Sequence, residues 1–157
     1  MLDRRTFMSL MATAAAMPQA AWAAGKPARA ALYANVGEVL TRWEVDVDNF
    51  TLTARESVSL PAGVQYAWPH VSRRYLYVAT SSSASGYGPT GTEHHVSAFK
   101  IDPASGKLTP HGKPITLPVR PIHMSTDIPS RHVLVAFNNP AGLRVYKINA
   151  DATLGDE

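Results

Sequence analysis

The sequence predicts an all-β fold made of repeated short strands. Its 157 residues include 12 prolines and 10 glycines, spread along the chain, which favour many turns over long helices. A segment near the middle of the chain is also similar to a later segment, and the two align at a constant offset. Frequent turn residues and an internal repeat together indicate a set of similar antiparallel units.

The repeat is clearest between residues 61–78 and 118–135, which align without a gap at an offset of 57 residues. A third copy of its last element is ALYAN at 31–35. A second group of segments shares an aromatic residue, a β-branched residue two positions later, an Asp or Asn turn and a leucine. The members of this group are residues 40–53, 95–109 and 143–156.

These segments are short, rich in β-branched and aromatic residues, and bounded by turn residues, so each is predicted to be a strand. Units of four strands, repeating at about 45–57 residues, are typical of β-propeller blades. The strands of one blade are lettered a to d. The predicted strands are b 31–36, c 39–47 and d 51–60; a 64–71, b 75–80, c 95–101 and d 107–117; and a 120–127, b 132–137, c 142–148 and a short d near 152–154.

The predicted organisation is an export signal at 1–23, a linker at 24–30 and a partial β-propeller at 31–157, with blades at 31–60, 64–117 and 120–157. Propellers close with roughly four to eight blades, so about two and two-thirds blades make an incomplete ring. We therefore expect the N-terminal portion of a longer propeller. A second chain or a missing C-terminal half would complete the ring.

The first 23 residues have the features of an export signal. Two arginines at positions 4 and 5 precede an apolar run at 8–17, Pro18 ends it, and the small residues of Ala21–Ala23 predict cleavage after Ala23. The apolar run is shorter than the roughly 20 residues that span a bilayer, so no stable membrane anchor is expected after cleavage. The Arg-Arg-x-Phe centre resembles a twin-arginine signal, with an ordinary secretory signal as the alternative. Both predict a periplasmic or secreted protein.

Composition excludes several classes of function. The chain has no cysteine, which excludes disulfides and thiolate chemistry. Residues 24–157 carry 13 basic and 11 acidic side chains, scattered without a block of one sign, so no nucleic-acid partner is expected. No metal is expected at Glu93, His94 and His95, because neighbouring residues on a strand point to opposite faces. The serines at 81–83 lack the context of a nucleophile elbow.

Four segments carry a family resemblance: RRYLYVAT, VSAFKIDPASGKLT, RPIHMSTD and KINADATLGDE. They resemble the lactonase propeller family, the seven-bladed type that includes 6-phosphogluconolactonases. The resemblance covers Ala31 to Glu157, in the order of the family's first blades. It implies hydrolysis of a sugar lactone, without a cofactor, and a small-molecule lactone or sugar acid as ligand. Thr80-Ser81 departs from the family, which often has Asn-Glu there.

The candidate site lies where the d–a and b–c connections of antiparallel blades share one rim. Lactone hydrolysis needs a base for water and a group that stabilises the oxyanion. His123 is the candidate catalytic base or substrate hydrogen bonder, and Arg120 and Asn138 are candidate substrate contacts. The alternatives are a structural histidine that lines the channel and a solvated loop arginine. Trp68 is expected to pack between blades.

Two functions remain open from the sequence. The first is an exported sugar-lactone hydrolase, whose fragment alone would be inactive. The second is a non-catalytic periplasmic propeller that serves as a binding or scaffold module, because a fold does not determine function.

Overall fold

The computed structural model describes residues 30–83 and 91–157. The predicted leader, its cleavage site, most of the linker and residues 84–90 of the long b–c loop lie outside the described residues. Within the described part, no helix is long and apolar enough to cross a membrane. The described residues form eleven strands: β1 (Ala30–Val36), β2 (Val39–Asp46), β3 (Thr51–Ser59), β4 (Gly63–Pro69), β5 (Tyr75–Ser81), β6 (His94–Ile101), β7 (Leu108–Pro110), β8 (Ile115–Thr116), β9 (Pro121–Thr126), β10 (His132–Asn138) and β11 (Ala141–Lys147).

The strands form three antiparallel sheets, each corresponding to one blade. The first blade is β1-β2-β3, the second is β4-β5-β6-β7 with β8 also paired to β6, and the third is β9-β10-β11. The first blade therefore holds strands b, c and d. The third holds a, b and c, and a bridge between Ile148 and Leu154 begins its fourth strand. The described strands form an all-β partial propeller that does not close a ring, which confirms the predicted fold class.

Strand d of the second blade is divided, whereas the sequence predicts one strand over 107–117. Both pieces pair with β6, β7 through Phe99 to Ile101 and β8 through His95 and Val96. Between them, Gly112 has a φ of 72°, and Pro114 has no amide hydrogen to donate to the ladder. The His111 amide still donates to the Ala98 carbonyl at 2.9 Å, and the backbone leaves the ladder at residues 112–114.

The second blade is the centre of the core. Strand β5 is buried on both faces because it lies between the first and third blades. Leu76 and Val78 pack towards the first blade, and Tyr77 and Ala79 pack towards the third. Because both faces of β5 are covered, its apolar residues follow one another along the strand. Apolar and polar residues alternate only where one face of a strand is exposed to solvent. Burial of a leucine or valine side chain, such as those of Leu76 and Val78, contributes about 1.5–3 kcal/mol to the free energy of folding.

Each blade interface also contains a hydrogen bond from a tyrosine on strand b to a c–d turn in the next blade. The Tyr33 hydroxyl donates to the Gly106 carbonyl at 2.5 Å, and the Tyr77 hydroxyl donates to the Ala152 carbonyl at 3.0 Å. Gly106 and Ala152 both have positive φ, which turns their carbonyls out of the local ladder. The same contact thus recurs at successive interfaces of the repeat.

Candidate functional site

The inner strands β4 and β9 carry the candidate site. Each contains a β-bulge at the same position of the repeat, where one extra residue interrupts the pairing. The extra residue is Gln65 in β4 and Ile122 in β9, which are 57 positions apart. A bulge re-aims the side chains that follow it, and these are Tyr66 and His123.

Strand register places the three predicted site residues near one rim. Arg120 immediately precedes β9, and Asn138 ends β10, one residue beyond the pair formed by Phe137 and Pro121. Asn138 is exposed at the b–c turn, where it pairs with Ala141. His123 lies further along β9, opposite Ala136. The rim therefore brings together a guanidinium group and a carboxamide, with an imidazole a short way inside.

Arg120 is half-buried and is bound to the neighbouring blade. Its Nε donates a hydrogen bond to Oε1 of Gln65 at 2.9 Å. Gln65 is the extra residue of the β4 bulge, and its Nε2 donates weakly to the Gly63 carbonyl at 3.4 Å. Arg120 is thus oriented by a contact between blades, in contrast to a solvated loop arginine. Sequence analysis missed Gln65. The available signal was a polar residue at the repeat position that holds Ile122 in the next copy.

His123 is exposed and lies against aromatic side chains of the second blade. Its ring centroid is 4.2 Å from that of Tyr66, with an interplanar angle of 43°, and 6.4 Å from that of Trp68. Tyr66 and Trp68 are nearly parallel, at 16° and 6.4 Å. The three rings form one group, the inner aromatic cluster. The imidazole is held by ring packing and remains open to solvent.

Trp68 contacts His123 of the next blade, yet 37% of its surface is exposed. Trp68 therefore packs between blades over part of its surface, as the sequence predicts, and the rest of the side chain is exposed.

A buried serine–histidine pair at the start of the long b–c loop was not predicted. Ser81 Oγ lies 2.9 Å from Nδ1 of His94 and accepts a hydrogen bond from the Ser83 amide at 3.0 Å. Burial lowers the pKa of His94, and the neighbouring His95 lowers it further, whereas a hydrogen bond to the backbone of Gly91 opposes the shift. Both side chains are buried, so water and substrate do not reach the hydroxyl. The pair stabilises the base of the loop.

Residues 30–83 and 91–157 contain histidines and carboxylates, which are suitable metal ligands. No group of three or more His, Asp or Glu side chains in that part of the chain is arranged to hold a metal ion. His94 and His95 are consecutive on β6, so their side chains leave opposite faces of the sheet.

Comparison with known proteins identifies the family. The sequence profile described as lactonase, 7-bladed β-propeller, matches residues 13–157. The chain belongs to this family. The sequence resemblance drawn from its repeats is confirmed.

Solved structures share the fold. A candidate 6-phosphogluconolactonase from Bacteroides fragilis aligns with a TM-score of 0.64 and 18% identity, over 79% of this chain and 33% of that one. A second, from Bacteroides uniformis, gives 0.64 and 17%, over 80% and 35%. The periplasmic gluconolactonase of Pseudomonas aeruginosa gives 0.63 and 21%, over 77% and 34%. The chain thus spans about a third of the length of these proteins.

Proposed function

We propose that this protein hydrolyses a sugar lactone outside the cytoplasm, with chemistry like that of 6-phosphogluconolactonase. The observation that carries the proposal is the placement of Arg120 and His123 at one inner strand of a lactonase-family propeller, β9, where both contact residues of the adjacent inner strand β4. Arg120 is oriented by Gln65, and His123 is held open to solvent by Tyr66. The names of the structural neighbours in Bacteroides and Pseudomonas support the same substrate class.

In the proposed reaction, His123 accepts a proton from water as the water oxygen attacks the lactone carbonyl carbon. The negative charge that develops on the carbonyl oxygen is stabilised by the guanidinium of Arg120 and the carboxamide of Asn138. The ring C–O bond then breaks, and the ring oxygen receives the proton held by His123. The products are the hydroxyl and carboxyl groups of one sugar acid. Arg120 is also a suitable contact for a phosphate or carboxylate on the substrate.

The proposed location is the periplasm or the outside of the cell. The support is the leader pattern of residues 1–23, with its arginine pair and its small residues before the cleavage site. A lactone present in that compartment is the proposed substrate. We propose further that additional polypeptide, in the same chain or a second one, completes the ring. The greater length of the solved neighbours supports this part of the proposal.

The test measures opening of D-glucono-1,5-lactone by the mature protein, purified as the cell makes it, with the spontaneous rate subtracted. His123→Gln is expected to lower kcat by about 10²-fold or more, because a positioned base contributes on that scale. The matched control is His132→Gln, at the start of β10 and away from the rim, where it hydrogen-bonds Asp127. The control variant is expected to retain full activity.

Three outcomes of this experiment separate the functions. Loss of turnover in His123→Gln alone supports the hydrolase. Equal turnover in both variants contradicts the role of His123. If no lactone is opened while a lactone analogue binds, the protein is the non-catalytic binding module, which an exposed aromatic cluster also suits.

A further inference from the structure

We infer that Tyr66 and Trp68 form a stacking platform for the ring of the sugar. This inference rests on the proposed function, because it names the part of the substrate that the inner aromatic cluster receives. The ligand class is a cyclic sugar lactone with an apolar ring face. The polar groups of such a ligand would lie towards His123 and the pair formed by Arg120 and Gln65.

The first support is the geometry of the two rings. They lie two residues apart on β4, so both leave the same face of the strand, and the angle between them is 16°. These nearly parallel rings, with centroids 6.4 Å apart, place two apolar aromatic groups side by side along one face of β4. Tyr66 packs against the core between the second and third blades. This packing holds the platform in place before a ligand arrives.

The second support is the exposure of Trp68. Core tryptophans are highly buried on average, whereas 37% of the surface of Trp68 is exposed on an inner strand. His123 lies against the same two rings, with its centroid 4.2 Å from that of Tyr66 and 6.4 Å from that of Trp68. The aromatic surface therefore adjoins the proposed base and does not stand apart from it.

The third support is the repeat itself. The positions in the third blade that correspond to Tyr66 and Trp68 hold His123 and Ser125. The two aromatic residues are therefore not required by the architecture of an inner strand. Their neighbour Gln65 orients Arg120, so apolar and polar contacts meet at this end of β4. Binding sites for small molecules typically combine such an apolar surface with a few placed polar groups.

The test uses D-glucono-1,5-lactam, a cyclic amide that keeps the sugar ring and is not hydrolysed by a lactonase. All variants are tested as the mature protein, without Trp22 of the predicted leader, so that emission reports on Trp43 and Trp68. Trp68→Leu removes the ring but keeps an apolar side chain, Trp68→Phe restores a ring, and Trp43→Phe is the matched control on β2. Calorimetry gives the affinity for the lactam, and tryptophan emission gives its position.

The lactam is expected to change the emission saturably in the Trp43→Phe protein. Its affinity is expected to fall by about tenfold in Trp68→Leu and to stay within about threefold in Trp68→Phe. Equal affinity in Trp68→Leu and the parent protein would overturn the platform, as would an absence of lactam binding in a parent protein that opens lactones.

The result also separates the platform from the proposed function. Lactam binding that depends on Trp68, in a protein that opens no lactone, would retain the platform and refute the hydrolase. If lactone opening depended on His123 but lactam affinity did not depend on Trp68, the platform would be refuted and the hydrolase would be retained.

Discussion

The hairpins β4–β5 and β9–β10 are two copies of one sequence unit, and they differ in chemistry far more than in backbone. Both have a bulge at the same position of the inner strand. Both have a residue with positive φ at the same position of the a–b turn, Arg73 at 57° and Ser130 at 51°. The side chains after the bulge are Tyr66 in one copy and His123 in the other.

This comparison shows that the repeat determines the path of the backbone, and that single positions within it determine the local side-chain chemistry. Neither Arg73 nor Ser130 is a glycine, although positive φ favours glycine. The turn geometry is therefore imposed by the flanking strands, which pair in the same register in both copies. Chemistry is free to vary at the bulge because the extra residue is not part of the ladder.

The largest expected effect concerns Met124, whose repeat partner is the exposed Ala67. Met124 is fully buried in the core between the second and third blades. Met124→Ala is expected to lower the free energy of unfolding by about 3 kcal/mol, through lost burial and the cavity left behind. The measurement is equilibrium denaturation in urea.

Ile122→Ala is the control on the same strand. Ile122 is 43% exposed, so this change is expected to cost less than about 1 kcal/mol. Equal costs for the two substitutions would contradict the assignment of the core to one face of β9.

The next effect concerns Gln65. The Gln65→Ile substitution gives the β4 bulge an isoleucine, the residue type that Ile122 provides at the β9 bulge. Arg120 loses the acceptor of its Nε hydrogen bond. kcat/KM for the lactone is expected to fall by about tenfold, with kcat lowered as well, because Gln65 orients the guanidinium that the proposed reaction places on the developing negative charge. Initial-rate kinetics check this.

Gln65→Glu keeps an acceptor for Arg120 and is expected to retain the orientation of its guanidinium, although the added charge weakens anion binding. If Gln65→Ile left both kcat and KM unchanged, Gln65 would not act as a positioning residue.

A smaller effect concerns Tyr77, whose repeat partner is Leu134. Tyr77→Phe removes the buried hydrogen bond to the Ala152 carbonyl but keeps the ring. The expected loss of unfolding free energy is about 1 kcal/mol, measured by denaturation. Tyr75→Phe removes a half-buried hydroxyl from the same strand and is expected to cost less. If Tyr77→Phe lowered the free energy of unfolding no more than Tyr75→Phe does, the hydrogen bond between the blades would make no net contribution to stability.

The smallest effect is a pH dependence of stability that comes from His94 in the second blade. The third blade has no counterpart of this histidine, because Ala141 occupies the equivalent position. Because burial holds the pKa of His94 below its ordinary value of 6.5, the unfolded chain binds a proton at a higher pH than the folded chain. This contribution to stability is complete above pH 6.5 and is lost as the pH falls through that value towards the folded pKa. Denaturation at a series of pH values should show a shallower slope in His94→Gln than in the parent. Identical slopes would refute the assignment.

Much of this architecture could be predicted from local sequence. The segment PAGVQYAWPHVSRRYLYV and its second copy indicated strands and turns because alternation and turn residues act within a few positions. The placement of Arg120 and Asn138 near one rim followed from antiparallel connectivity. The division of strand d was not predicted, because Gly112 and Pro114 interrupt a ladder only when the partner strand is known.

By itself, the sequence determined the all-β class, the blade repeat and the family, because these depend on periodicity and on motifs that are contiguous in the chain. Tertiary structure alone decided that Gln65 orients Arg120, that Tyr66 packs on His123 and that Ser81 pairs with His94. The first two contacts join residues about 55 positions apart on different blades. They depend on how neighbouring sheets stack and where a bulge turns a side chain, and no local pattern carries that information.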